Sequence, residues 1–281
     1  NPHDIASNIS ADEMSFVVCL KHMLHDPDLM VFFDAVKNCS LRSFSVFMDG
    51  DPKQPNIAVF NYVTKRLGHS LKMDNQLQVH IACRTAYYFL SSYQAFKQEF
   101  PALMNKTFTI QAQSLYSKLD DLLSYDCPHV RLQAFKAMLW SEPNQLPQVL
   151  NRLKMEIKGV GAWMSFHYHE LLQCLFNYSC VNKDVFVYFA DFCHFMCVYC
   201  ADRVDIDLLI NLFKQITDKC DERKLKEGFL KMIFQILDEC MTGERESIDL
   251  IFSIYAFLGE YANRITREPM PGKTVLTNPN L

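Results

Sequence analysis

Asp126-Cys-Pro-His-Val-Arg-Leu-Gln-Ala-Phe-Lys-Ala-Met-Leu-Trp140 is the stretch that decides the fold. Pro128 suits a first helical turn, where a missing N–H costs nothing and a fixed φ is already helical. Asp126 stands just ahead of it, where a carboxylate can accept orphan backbone N–H groups and favour the positive helix end. Val130, Ala134 and Ala137 recur at i, i+4, i+7, and Leu132, Phe135 and Leu139 at i, i+3, i+7. Two apolar faces on one short helix predict that it is covered on both sides. The inner helix of a stacked helical-repeat layer has that requirement.

Working outward, the chain is punctuated by Pro, Asp and Gly between apolar runs of helical period. Ser10-Ala-Asp-Glu13 has capping-box spacing. The helix after it carries Leu20, Met23 and Leu24, and Asp26-Pro27 starts another with Leu29, Met30, Phe33 and Val36 inward. Leu41–Met48 is a third, short apolar piece, and Asp49-Gly-Asp-Pro52 with Lys53-Gln-Pro55 reads as a loop. Asn56–Leu67 is predicted helical, with Gly68 as a left-handed C-cap. Asp74 is expected to cap the next helix, through Leu77, Ile81, Phe89 and Ser92. Phe108–Leu123 follows, with Ile110, Leu115, Leu119 and Leu122 inward. After the helix at 126–140, Val149, Leu150, Leu153 and Ile157 mark one more.

Lys158-Gly-Val-Gly161 is expected to bend the chain. Beyond it, Met164–Phe176, Val185–Tyr199, Ile206–Ile216, Leu225–Leu237 and Ile248–Ala262 read as helices. Asp205 and Asp221 are start signals and Gly243 a stop. The spacing implies helical pairs of about 40 residues. Residues 1–267 are thus expected to form one helical-repeat domain with a bend near 158–161, and 268–281, rich in Pro, to be extended or disordered.

The order Pro128-x-Val130-Arg131-x-x-Ala134-x-x-Ala137-x-Leu139 resembles the second helix of a HEAT or armadillo-type repeat. The resemblance covers about one helix of one repeat. It implies an all-α fold, an α-solenoid of antiparallel helical pairs, with a compact helical bundle as the alternative. Asp126 stands out of the family's usual register with the arginine, so the resemblance does not carry over a ladder from Arg131 to a neighbouring carboxylate. Solenoids usually act by binding along a long face.

Composition narrows the function. The chain has 281 residues, 49% hydrophobic and 21% charged, and only 8 glycines, too few for a turn-rich β fold. No G-x-G-x-x-G or phosphate-loop motif occurs. A net charge of −4 gives no general pull towards nucleic acid or anionic membrane. Eleven cysteines, an odd number lying in helical patterns, fit a reducing compartment, so an intracellular protein, cytoplasmic or nuclear, is expected. No run of 18 apolar residues suggests a membrane span. A chain opening on Asn1 is expected to be a segment of something larger.

Catalytic constellations are weighed and set aside. Cys193-His194-x-x-Cys197-x-x-Cys200 carries zinc-ligand types, but on a continuous helix Cys193, Cys197 and Cys200 form one core stripe. His167-Tyr-His169-Glu170 places its histidines two apart, on different sides of a helix. Asp120-Asp121 and Asp205-x-Asp207 read as solvated carboxylates. No enzyme, metal or cofactor is expected. The expected function is a protein-interaction scaffold within a larger complex, with a nucleic-acid-binding helical repeat as the alternative. The candidate partner-binding residues are Lys65, Arg66, Lys72, Arg84 and Tyr87.

Overall fold

A computed structural model describes residues 11–42, 44–47, 57–101, 106–159, 165–219, 223–242 and 247–267. The expectations for Ser10, the loop at 49–55, the helix start at Asn56, residues 160–161 of the bend, Asp221, Gly243 and the tail at 268–281 fall outside the described residues. The fold is all-α, with no strand among the described residues. The chain divides into two compact units, Asn1–Phe192 and Cys193–Leu281.

The first unit contains α1 (Ala11–Leu24), α2 (Leu29–Arg42), α3 (Ala58–Ser70), α4 (Gln76–Glu99), α5 (Lys106–Leu122), α6 (Pro128–Met138), α7 (Leu146–Gly159) and α8 (Ser165–Val181). α2, α4, α6 and α8 lie against one another in succession, and α3 packs on α5. α6 meets α4, α5, α7 and α8. That neighbourhood explains its two apolar faces. Val130, Ala134 and Ala137 are buried, and so are Leu132, Phe135 and Leu139. Pro128 occupies the first turn as expected.

Asp126 does not cap this helix. Cys127 is the N-cap residue and makes no side-chain cap bond. Instead Arg131 gathers the helix start, donating to the carbonyls of Tyr125 at 2.6 Å and Asp126 at 3.1 Å. Its Nε also donates to Glu156 of α7 at 2.7 Å. An arginine bridge to the next helix is therefore present, with a carboxylate the resemblance does not point to.

The other end of α6 is bolted by polar groups. Tyr116 donates to the Trp140 carbonyl at 2.6 Å, Tyr178 to the Ser141 carbonyl at 2.8 Å, and Trp140 stacks on Tyr178 at 4.7 Å. Buried backbone carbonyls outside regular helix need such partners. Towards α2 and α3 the core is aromatic: Phe44, Phe60, Phe89 and Tyr93 lie with ring centroids between 5.2 and 6.1 Å apart.

Several local expectations are corrected. Gly68 lies inside α3, which runs on to Ser70, and Leu71 closes it in a right-handed conformation. A Cβ there would meet only the flexible ammonium end of Lys118 on α5, which can move aside. Asn75, not Asp74, caps α4, its side chain accepting from the Gln78 N–H at 3.1 Å. Ile110 and Met30 face outward, and Phe108 and Phe32 take the inward places.

α9 (Phe186–Tyr199) runs across the division between units, which falls between Phe192 and Cys193. The second unit continues with α10 (Ile206–Lys219), α11 (Arg223–Thr242) and α12 (Ile248–Arg267). α12 packs on both α10 and α11. Phe213, Phe229 and Phe257 form its aromatic centre, with centroids 5.3 to 6.3 Å apart. Asp205 caps α10 as expected, accepting from the Leu208 N–H at 3.1 Å.

Candidate functional site

α4, α6 and α8 share a face of the first unit on which polar side chains recur at helical spacing. On α4 the stripe is His80, Arg84 and Tyr87, at i, i+4, i+7. On α6 it is His129, Gln133 and Lys136, at the same spacing. On α8 it is His167, Glu170 and Cys174, at i, i+3, i+7. Residues so spaced lie above one another on one side of a helix. The three helices are neighbours, so the stripes form rows across them.

The first row is histidine. The rings of His129 and His167 lie 5.8 Å apart, edge to face. His129 is exposed, His80 half-buried and His167 buried. Burial pushes the His80 imidazole below its ordinary pKa, helped electrostatically by His129, Arg84 and Lys136. His167 is lowered too, first by burial; Glu170 opposes this, and His129 and Lys136 add to it. The second row centres on Lys136. Its ammonium bonds Glu170 at 2.8 Å and lies 5.3 Å from the Tyr87 ring centroid, a cation–π arrangement. Burial pushes the Tyr87 phenol up. The Cys174 thiol donates to the Lys136 carbonyl at 3.4 Å and is pushed up to about 12 by burial. A thiol so held is a poor nucleophile, and the row offers recognition groups.

Of the expected partner-binding residues, Arg84 and Tyr87 belong to this face. Lys65 and Arg66 lie on α3 and Lys72 in the turn after it. Lys65 and Lys72 are exposed. Arg66 is committed to the fold. It donates to the carbonyls of Leu24 and Pro27 and to the Tyr62 hydroxyl, and stacks on Phe32 at 4.3 Å. His80, His129, Lys136, His167 and Glu170 complete the face and are absent from the sequence-based set. The available signal was a histidine recurring once per helical pair, with a polar or charged residue one turn later.

Elsewhere, Cys193, Cys197 and Cys200 are buried as the helical stripe predicts. Cys197, hydrogen-bonded to Cys193 and desolvated, is held well above the ordinary thiol pKa. His194 faces Glu239 of α11 at 3.0 Å. Among the described residues no group of three or more His, Cys, Asp or Glu side chains is placed to hold a metal ion. None of the described helices is long and apolar enough to cross a membrane.

No family model matches the chain, and no curated protein matches it. Among solved structures it is similar to two engineered proteins from the Northeast Structural Genomics Consortium. One is 11% identical, with a TM-score of 0.43, over 86% of this chain and 97% of the other. The second is 15% identical, with a TM-score of 0.41, over 85% of this chain and 98% of the other. Similarity at this level carries nothing about activity or partners.

Proposed function

We propose that the chain is a non-catalytic, intracellular protein-interaction scaffold that works within a larger complex. Its working surface is the shared face of α4, α6 and α8. The observation that carries this reading is the pair of polar rows on that face, His80–His129–His167 and Tyr87–Lys136–Glu170. Groups that serve only the fold are elsewhere satisfied by internal bonds, as Arg66 and Arg131 are. Arg84 and His129 stand exposed on a scaffold of buried helices. Rigid helices presenting aromatic and basic groups suit partner recognition. The succession α2, α4, α6, α8, the packing of α3 on α5 and the doubly covered α6 support a HEAT or armadillo-like solenoid as the architecture of the first unit.

The test is affinity capture from cell extract with nuclease treatment, comparing wild type with Arg84→Glu. A stoichiometric, nuclease-resistant protein held by the wild type and lost by the variant is the expected result. Recovery of partners that vanish with nuclease transfers the reading to nucleic-acid binding. Equal recovery by both chains removes the α4–α6–α8 face from the account.

A further inference from the structure

We propose that the α4–α6–α8 face binds an acidic peptide segment of its partner and holds it more tightly as the medium acidifies through the histidine range. This rests on the interaction reading above and assigns the chemistry and regulation of that face.

At neutral pH the rows carry two cations, Arg84 and Lys136, against one carboxylate, Glu170. Lys136 already bonds Glu170, so the exposed Arg84 is the cation most open to a ligand. Protonation of His80 and His167 would add two positive charges to the same face. The groups facing His80 are Arg84 on its own helix and His129 and Lys136 from α6. Those facing His167 include Glu170 on its own helix and His129 and Lys136 from α6.

α2 brings Lys37, whose ammonium lies 5.6 Å from the Tyr88 ring. α3 commits Arg66 towards α1 and α2. α7 holds Glu156 against Arg131, and α5 meets the end of α6 through Tyr116.

The chain as a whole is acidic, at −4. The exposed Arg84, flanked by imidazoles that can gain charge, is complementary to carboxylates on an otherwise acidic protein. Two permanent cations are too few for the multiple phosphate contacts that nucleic-acid affinity draws on. Tyr87, half-buried beside Lys136, supplies apolar contact between the charges.

The sign of the pH effect follows from linkage. In the free protein burial and neighbouring cations disfavour the protonated imidazoles of His80 and His167. Carboxylates laid over the rows favour the protonated imidazoles. Binding therefore takes up protons, and affinity rises as pH falls towards 6. Each proton taken up can steepen affinity by up to about tenfold per pH unit. Asp and Glu of the ligand, with ordinary pKa values near 4, stay ionised at that pH.

The test selects twelve-residue peptides from a random displayed library on the intact chain at pH 6.0. Counter-selection uses Arg84→Glu. The most enriched peptide is then titrated, fluorophore-labelled, against wild type and His80→Gln/His129→Gln at pH 6.0 and 7.5. His167 is left in place because it is buried. The expected peptides are rich in Asp and Glu, bind wild type about tenfold more tightly at pH 6.0, and show a smaller pH dependence with the double variant, the remainder coming from His167.

Arg84-dependent peptides with no acidic bias, or with equal affinity at both pH values, overturn the proposal while keeping the face as a binding surface. No Arg84-dependent enrichment overturns the proposal and the face together. A single-stranded oligonucleotide that displaces the peptide at lower concentration than the peptide's own Kd reassigns the partner to nucleic acid and overturns it as well.

Discussion

α6 and α12 have similar apolar content and opposite fates. Each carries two apolar stripes. On α6 both are buried, Val130–Ala134–Ala137 and Leu132–Phe135–Leu139. On α12, Leu250, Ile254 and Phe257 are buried, while Ile248, Phe252 and Tyr255, at i, i+4, i+7, are exposed, Phe252 by 69%. α6 has helices on four sides. α12 packs on α10 and α11, and exposed Phe234 and Met241 of α11 lie on the unit's surface as well, with the Tyr255 hydroxyl 3.5 Å from the Met241 sulfur. The comparison teaches that two apolar stripes state what a helix is able to bury, and the neighbours decide how much it does bury. It also separates two kinds of exposed surface: a charged, histidine-bearing one in the first unit and an apolar one in the second.

The sharpest way to break this contrast is truncation of the α6 core. Phe135→Ala is expected to cost about 3–5 kcal/mol in urea denaturation, the range for a fully buried aromatic. A loss under about 1 kcal/mol would remove the doubly covered helix from the account. Next comes Arg131→Ala, which leaves the Tyr125 carbonyl and Glu156 without a partner. A cost of about 1–3 kcal/mol is expected from the lost charge-assisted bonds. Arg131→Lys should recover only part of it, because an ammonium cannot reproduce the planar fork.

A smaller effect sharpens the account of the histidine row. His80 and His167 have folded-state pKa values below their unfolded values, so the unfolded chain binds more protons through the imidazole range. Their contribution is present above the unfolded pKa and is lost as pH falls through it. The thermal unfolding midpoint should therefore drop between pH 7.5 and 5.5. His80→Gln should flatten that drop, and an unchanged or rising midpoint in the wild type contradicts the assignment. Smallest of all, Phe252→Ser should change stability by no more than about 0.5 kcal/mol, as expected of an exposed position. A loss comparable to that of Phe135→Ala would show the α12 stripe to be covered.

Helix existence was legible from periodicity throughout, because an apolar stripe is a local property. The buried pairs of α6 and the start of α10 at Asp205 follow directly from it. What failed depended on partners distant in sequence. Gly68 looks like a helix stop, yet α3 runs on past it to Ser70. Asp74 and Asn75 are equally good caps by composition, and one residue of register decides between them. The candidate face was half legible. Arg84 and Tyr87 share one stripe of α4, but His129 and Lys136 join them only once α6 packs beside α4. Single histidines on α4 and α6 and two on α8 carry no local signal of a row, and Arg66 does not declare in sequence that it will be consumed by the carbonyls of Leu24 and Pro27.

Hydroxyl-radical footprinting, read by mass spectrometry on the intact chain with and without the selected acid-rich peptide at pH 6.0, tests the working surface most directly. It reports both exposed surfaces in one experiment. The account predicts that oxidation of Tyr87 and His129 falls on binding, while Met241, Phe252 and Tyr255 oxidise at unchanged rates. Protection of Met241, Phe252 and Tyr255 with Tyr87 and His129 unchanged would contradict it and place the binding surface on the apolar stripe of the second unit.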